Sequence, residues 1–129
     1  MPRQFVVQVN NQPGQLALLA EQMAARGVDL RAIGGGGIGN TGHIIMTTAD
    51  DDAARAVLEA GGYTFIEGES ILTEVDDRPG GMARLSRSLA DAGVNIYGHL
   101  FLGRWGDRAM FAFVVDDPDK ARPILERKA

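Results

Sequence analysis

The chain has 129 residues, 45% of them hydrophobic, enough for one sizeable core or two small ones side by side. Thirteen Lys and Arg against 17 Asp and Glu leave a formal net charge of -4, which excludes the strongly basic footprint of a nucleic-acid-binding protein. Cysteine is absent, so disulfides, thiolate zinc sites and cysteine nucleophiles are excluded, and no stretch approaches the roughly 20 apolar residues of a membrane span.

The opening residues Met1-Pro2-Arg3-Gln4-Phe5 carry no apolar leader, and a cytoplasmic protein is expected. Gln4 to Asn10 then predicts a strand, and Leu16, Leu19, Ala20 and Met23 recur at helical spacing up to Gly27, which suits a left-handed C-terminal cap. Asp29 to Ile38 and His43 to Thr48 predict a hairpin around Gly39-Asn40-Thr41-Gly42. Asp50-Asp51-Asp52 opens a second helix, whose first N-H groups such carboxylates cap, and Tyr63 to Glu67 predicts a fourth strand.

The same succession then begins again. Pro13-Gly14 recurs as Pro79-Gly80, an offset of 66 that also carries Gly27-Val28-Asp29-Leu30 onto Gly93-Val94-Asn95-Ile96. A one-residue slip later aligns Ala54-Arg55 with Ala121-Arg122. Ser70 to Val75 predicts a strand, Met82, Leu85, Leu89 and Ala92 a helix, and Asn95 to Leu102 with Arg108 to Val115 a hairpin; Asp116-Asp117-Pro118 starts the last helix. The units therefore span 1–68 and 69–129, with Gly68-Glu69 as the linker. The first reads βαββαβ. The second reaches Ala129 without room for a fourth strand, so a bare edge is expected beside its opening strand, to be paired by a neighbouring chain or the other repeat.

Asn11-Gln12-Pro13-Gly14-Gln15-Leu16, between a first strand and a first helix, resembles the signature of the ACT domain family, and Asp77-Arg78-Pro79-Gly80-Gly81-Met82 resembles it again. The resemblance covers almost the whole chain. It implies an α+β protein of two ferredoxin-like βαββαβ ACT units in tandem, the second lacking its last strand, with antiparallel sheets and helices on one face. It also implies a regulatory, non-enzymatic protein that binds an amino acid at an interface between ACT domains, with at least one of the two turns as the site, and with Ile33, Gly34, Gly35 and Gly36 either lining the cavity or forming a bulged strand segment.

The residues agree with a ligand at the turns. A strand-to-helix turn leaves N-H groups unpaired that suit a carboxylate, the glycines keep side chains out of its way, and the prolines stiffen the turn. Asn11 both donates and accepts hydrogen bonds, whereas ionised Asp77 only accepts and suits an ammonium group. The same two residues can equally act as local helix caps.

Gly34-Gly35-Gly36-Gly37-Ile38-Gly39 satisfies G-x-G-x-x-G, but the following His43 to Thr47 reads as a strand where a dinucleotide or phosphate loop needs a helix. No cofactor is called for. His43 and His99 form no metal-binding spacing. If Ile96, Leu100 and Leu102 face the core, Tyr97, His99 and Phe101 form an exposed stripe suited to homodimerisation or to pairing the units. The competing reading is an interaction subunit without a ligand, similar to the separate regulatory subunits of amino-acid biosynthetic enzymes.

Overall fold

The computed structural model describes residues 2–126. The chain divides into two compact units, residues 1–67 and 68–129. The first carries β1 (Arg3–Asn10), α1 (Gln15–Ala25), β2 (Leu30–Ile38), β3 (Thr41–Thr48), α2 (Asp51–Ala60) and β4 (Thr64–Glu69). The second carries β5 (Ile71–Asp76), α3 (Gly81–Asp91), β6 (Ile96–Trp105), β7 (Arg108–Val115) and α4 (Pro118–Leu125). The protein is α+β, its sheets ordered β2-β3-β1-β4 and β5-β7-β6. Gly68 and Glu69 form no linker: they complete β4, and Ser70 alone separates it from β5. Among the described residues β5 has no second strand neighbour; Ala129, where the sequence places the end of the second unit, lies outside them.

Each unit buries its own core. In the first, Phe5 and Val7 of β1 and Ile44 and Met46 of β3 meet Leu19 and Met23 of α1 and Leu58 of α2. In the second, Ile71 of β5 and Phe113 and Val115 of β7 meet Leu89 of α3 and Leu125 of α4. The period-2 rows of the strands and the period-3.6 rows of the helices thus converge on one layer per unit.

The repeat extends to individual hydrogen bonds. Helix α1 ends in a Schellman arrangement, with Val28 N-H donating to Met23 C=O at 2.9 Å, and α3 ends identically, with Val94 N-H on Leu89 C=O at 2.9 Å. The second helix of each unit is capped as its sequence predicts: the Asp50 side chain accepts from Ala53 N-H at 3.1 Å and Asp117 from Lys120 N-H at 3.2 Å.

Each second helix also carries an arginine held by a carboxylate, but the carboxylates differ. Arg55 Nε and Nη2 donate to Glu67 of β4, both at 2.6 Å, and Arg3 Nε reaches the same carboxylate at 3.1 Å. Arg122 of α4 cannot find a fourth strand among the described residues. It donates instead to Glu69, at 3.1 Å through Nε and 2.5 Å through Nη2. By the repeat offset Glu69 occupies the position of Arg3, so the carboxylate has moved to where the first unit holds a cation.

Tyr97, His99 and Phe101 are all exposed, as the alternation predicts, but the core face assumed behind them, Ile96, Leu100 and Leu102, needs a correction. The β6–β7 register slips between Ile96 and Gly98, and again between Phe101 and Gly103. Ile96 pairs with Val115 while Leu100 pairs with Ala112, so Ile96 and Leu100 do not share a face. His99 and Phe101 instead stand opposite the core residues Phe113 and Phe111, with ring centroids 6.0 and 5.5 Å apart. Phe101 stays half-exposed, and Leu100 is buried on the face away from α3 and α4. A bulge inserts one residue and reverses every side chain beyond it, which strict alternation cannot anticipate.

Two consequences can be measured. A methyl group on Gly81 would sit 2.1 Å from the Asp76 carbonyl oxygen, so Gly81→Ala is expected to destabilise by about 1–3 kcal/mol in urea unfolding. The Glu67 carboxyl is held below its usual range, chiefly by its hydrogen bond from Arg55. Because its folded value is depressed, its contribution is complete above the unfolded value of about 4.3 and disappears as pH falls through the folded one. Glu67→Gln is expected to cost about 1–2 kcal/mol at pH 7 and to flatten the acid side of the stability profile, read from urea midpoints at pH 7 and pH 3.

Candidate functional site

Both signature turns are built the same way. Asn11 N-H donates to Asn40 C=O at 3.0 Å and Asp77 N-H to Asp107 C=O at 2.8 Å, tying each strand-to-helix turn to the tip of the neighbouring hairpin. Helices α1 and α3 then begin at Gly14 (φ +89°) and Gly80 (φ +91°), left-handed conformations that L side chains resist by about 1–2 kcal/mol. Neither helix has a side-chain cap, so Asn11 and Asp77 are not caps. Beyond each glycine the first N-H groups have no intrahelical partner.

The surroundings of the two turns differ. Asn11 is spent on the hairpin: its Nδ2 donates to Gly39 C=O at 3.0 Å, and it lies so close to β2 that a methyl on Gly37 would be 2.6 Å from its Oδ1. Gln12, Pro13 and Gly14 are exposed, Gln15 is half-buried, and Leu16 is 53% exposed rather than part of the core. A side chain on Gly14 would meet open space. Ile33, Gly34 and Gly35 do not join this turn. Gly35 pairs with Ile44, level with Val7, three residues or roughly 10 Å along the sheet from Asn10. A methyl on Gly35 would fall 2.2 Å from His43 C=O, so this glycine is there for close backbone approach.

The second turn opens onto a cavity of about 360 Å³ whose lining includes Asp77, Arg78, Pro79 and Met82 from the turn, together with Arg104 and Phe111. Arg104 Nε donates to Asp77 Oδ2 at 2.7 Å, and its guanidinium lies 4.8 Å from the Phe101 ring centroid, a cation–π contact. Asp77 therefore already has a cationic partner. Asp76 receives three: Arg108 donates to Oδ1, Arg78 Nη2 donates to Oδ2 at 3.4 Å, and Arg84 Nη2 is 3.6 Å from Oδ2. On its other side Asp76 borders a smaller cavity of about 230 Å³, with Arg84, Arg108 and Ser88. Gly80 and Gly81 lie behind this cluster, Arg84 so near that a methyl on Gly80 would be 2.8 Å from its Nη1.

From sequence alone Arg104 and Arg108 are residues beside a hairpin tip, able to bind an anion or simply solvated, and neither Phe111 nor Arg84 stands out. The signal was present in the repeat, since the hairpin residue facing Asn11 predicts which one faces Asp77. Of the proposed stripe, Phe101 reaches the turn through Arg104, and no contact brings Tyr97 or His99 to it. Among the described residues no group of three or more His, Asp and Glu is placed to hold a metal ion. No helix among them is long and apolar enough to cross a membrane.

Comparison with solved structures gives the fold its relatives. The regulatory subunit of aspartate kinase from Thermus thermophilus, in a ligand-free form, superposes with a TM-score of 0.64 over 97% of this chain and 87% of its own, at 20% identity. The corresponding Thermus flavus subunit gives 0.67 over 97% and 88%, at 19% identity. A Bacteroides thetaiotaomicron protein gives 0.71 over 96% and 85%, also at 19%. The chain has the fold of these proteins, the ACT type that its two signature turns imply. No family profile matches the sequence, and no curated protein matches it.

Because the Arg104–Asp77 pair is solvent-exposed, Arg104→Ala is expected to shift the urea-unfolding free energy by less than about 1 kcal/mol.

Proposed function

We propose that the chain is a non-enzymatic regulatory protein of two ACT domains, residues 1–68 and 69–129, that binds a small amino acid at its Pro-Gly turns. In this reading it works in the cytoplasm as a homodimer. The observation that carries the reading is the cavity at the second turn, where residues of the ACT-like signature border a space suited to an amino acid. Arginines to receive a carboxylate and Asp77 to receive an ammonium group stand above an apolar floor of Val75, Ala109 and Phe111. The likeness in fold to aspartate kinase regulatory subunits supports it. The first turn, with its open helix start at Gly14, is the second candidate. Bound ligand would favour one conformation over another, and a partner enzyme of amino-acid metabolism would read the change.

A ligand-free interaction subunit is the second reading, favoured by one observation: β5 has no strand on its outer side among the described residues, and such an edge pairs readily with another chain.

A thermal-shift screen against the standard amino acids separates the two. At 100 times its dissociation constant a ligand stabilises the folded state by about 2.7 kcal/mol, a rise of several degrees in Tm. The shift is expected from a subset of amino acids and is expected to vanish in Met82→Trp, which fills the second cavity, or in Gly14→Val if the first turn is the site. No shift from any amino acid would reject the sensor in favour of the interaction subunit.

A further inference from the structure

The two turns share a backbone but not a charge. Glu74, Asp76 and Asp77 of the second unit stand where the first has Gln8, Asn10 and Asn11, an equivalence fixed by strand register and by the matched hydrogen bonds of the turns. Arg78, Arg84, Arg104 and Arg108 stand where the first has Gln12, Leu18, Gly37 and Thr41. Seven charged positions in one copy are therefore neutral in the other. The first unit makes the same turn, the same left-handed glycine start and the same tether to its hairpin without any of them. The fold does not require these charges.

Their balance indicates what they do. Four guanidiniums face three carboxylates, a local surplus of one positive charge in a chain whose formal net charge is -4. Arg108 is partly buried and held by both Asp76 and Glu74. Arg78 and Arg104 are exposed at 71% and 62% of their side-chain surface, and each has a single carboxylate partner, at 3.4 and 2.7 Å. A guanidinium carries five N-H donors, so most of the donors of these two arginines are unused by the protein. Both border the larger cavity, beside its apolar floor.

We propose that the second turn selects a small ligand bearing an acidic group beyond any α-carboxylate, a dicarboxylate or phosphate-type anion, held by Arg78 and Arg104 while Asp77 is displaced from Arg104. Planar, forked guanidiniums match the several oxygens of such an anion, and the freed Asp77 carboxylate becomes available to an ammonium group. The neutral first turn has no such preference. This inference rests on the sensor reading for the ligand's size and for its place at the turn.

Calorimetric titration of the full chain tests it, with L-glutamate and L-aspartate against L-glutamine and L-asparagine, and with inorganic phosphate as a separate arm. The acids are expected to bind at least tenfold more tightly than their amides, to weaken as salt is raised, and to lose that preference in Arg78→Gln/Arg104→Gln. Arg26→Gln, an exposed arginine of the first unit, is expected to leave it intact, and unchanged Tm values would show that both variants fold. Amides that bind as tightly as the acids, or a double variant that binds like the parent, would overturn the inference and leave the amino-acid sensor standing. Phosphate bound through Arg78 and Arg104, with no heat from any of the four amino acids, would uphold the anion site with a phosphate-type ligand and overturn the dicarboxylate. Silence from every probe would overturn the inference, while the sensor reading stands or falls with the thermal-shift screen of all the standard amino acids.

Discussion

The backbone hydrogen bond from the start of each turn to the tip of the adjacent hairpin is the constraint on which the rest of each unit depends. Asn11 N-H on Asn40 C=O and Asp77 N-H on Asp107 C=O fix where the chain leaves the sheet. The left-handed glycine that follows then fixes the direction in which the helix departs. With the origin and heading of α1 and α3 set, Leu19 and Leu89 fall over their sheets, and the cores close beneath them. The same geometry starts each helix beside the hairpin tip, with N-H groups in its first turn that no helical carbonyl can reach. A stable fold and a place for a ligand thus come from one arrangement of backbone, which is why the turn can be reused while its side chains change.

Duplication shows which interactions the fold needs and which it merely permits. The Asp caps, the Schellman endings and the carboxylate-held arginine of the second helix recur in both units. Where the described residues hold no fourth strand, the arginine is met by Glu69 in place of a Glu67 counterpart, at the position that Arg3 holds in the first unit. In both units the arginine finds a half-buried carboxylate with which it makes two charge-assisted hydrogen bonds, so the pairing outlasts the particular residue that supplies it. The charges around Asp76 and Asp77 have no such counterpart in the first unit. Freed of a structural duty, they are available to a ligand.

The glycine-rich strand illustrates how a composition signal can be real and yet point elsewhere. Gly35 is required because a side chain would strike the His43 carbonyl, and Gly37 leaves the space that the Asn11 side chain fills. These glycines bring β2 close to β3 and to the turn, not to a phosphate. Asn11, equally, was legible as a polar residue in a signature turn, but its side chain is engaged by Gly39. A short polar side chain beside exposed backbone satisfies the nearest carbonyl, and only the folded hairpin supplies that carbonyl.

The sequence by itself determined the duplication, the order of strands and helices, the caps and the two turns, because each rests on local chemistry: periodicity, a left-handed glycine, an aspartate before a helix. The tertiary structure alone decided the faces of β6 and the composition of the second turn's cavity. The bulges after Ile96 and Phe101 reverse side chains without altering the hydrophobic pattern that a reader of sequence can see. Arg104 lies 27 residues from Asp77 and meets it only when the β6–β7 hairpin folds back beside β5. Strand register depends on the sum of many pairings across the sheet, and a site made by register exists only once that sum has been settled.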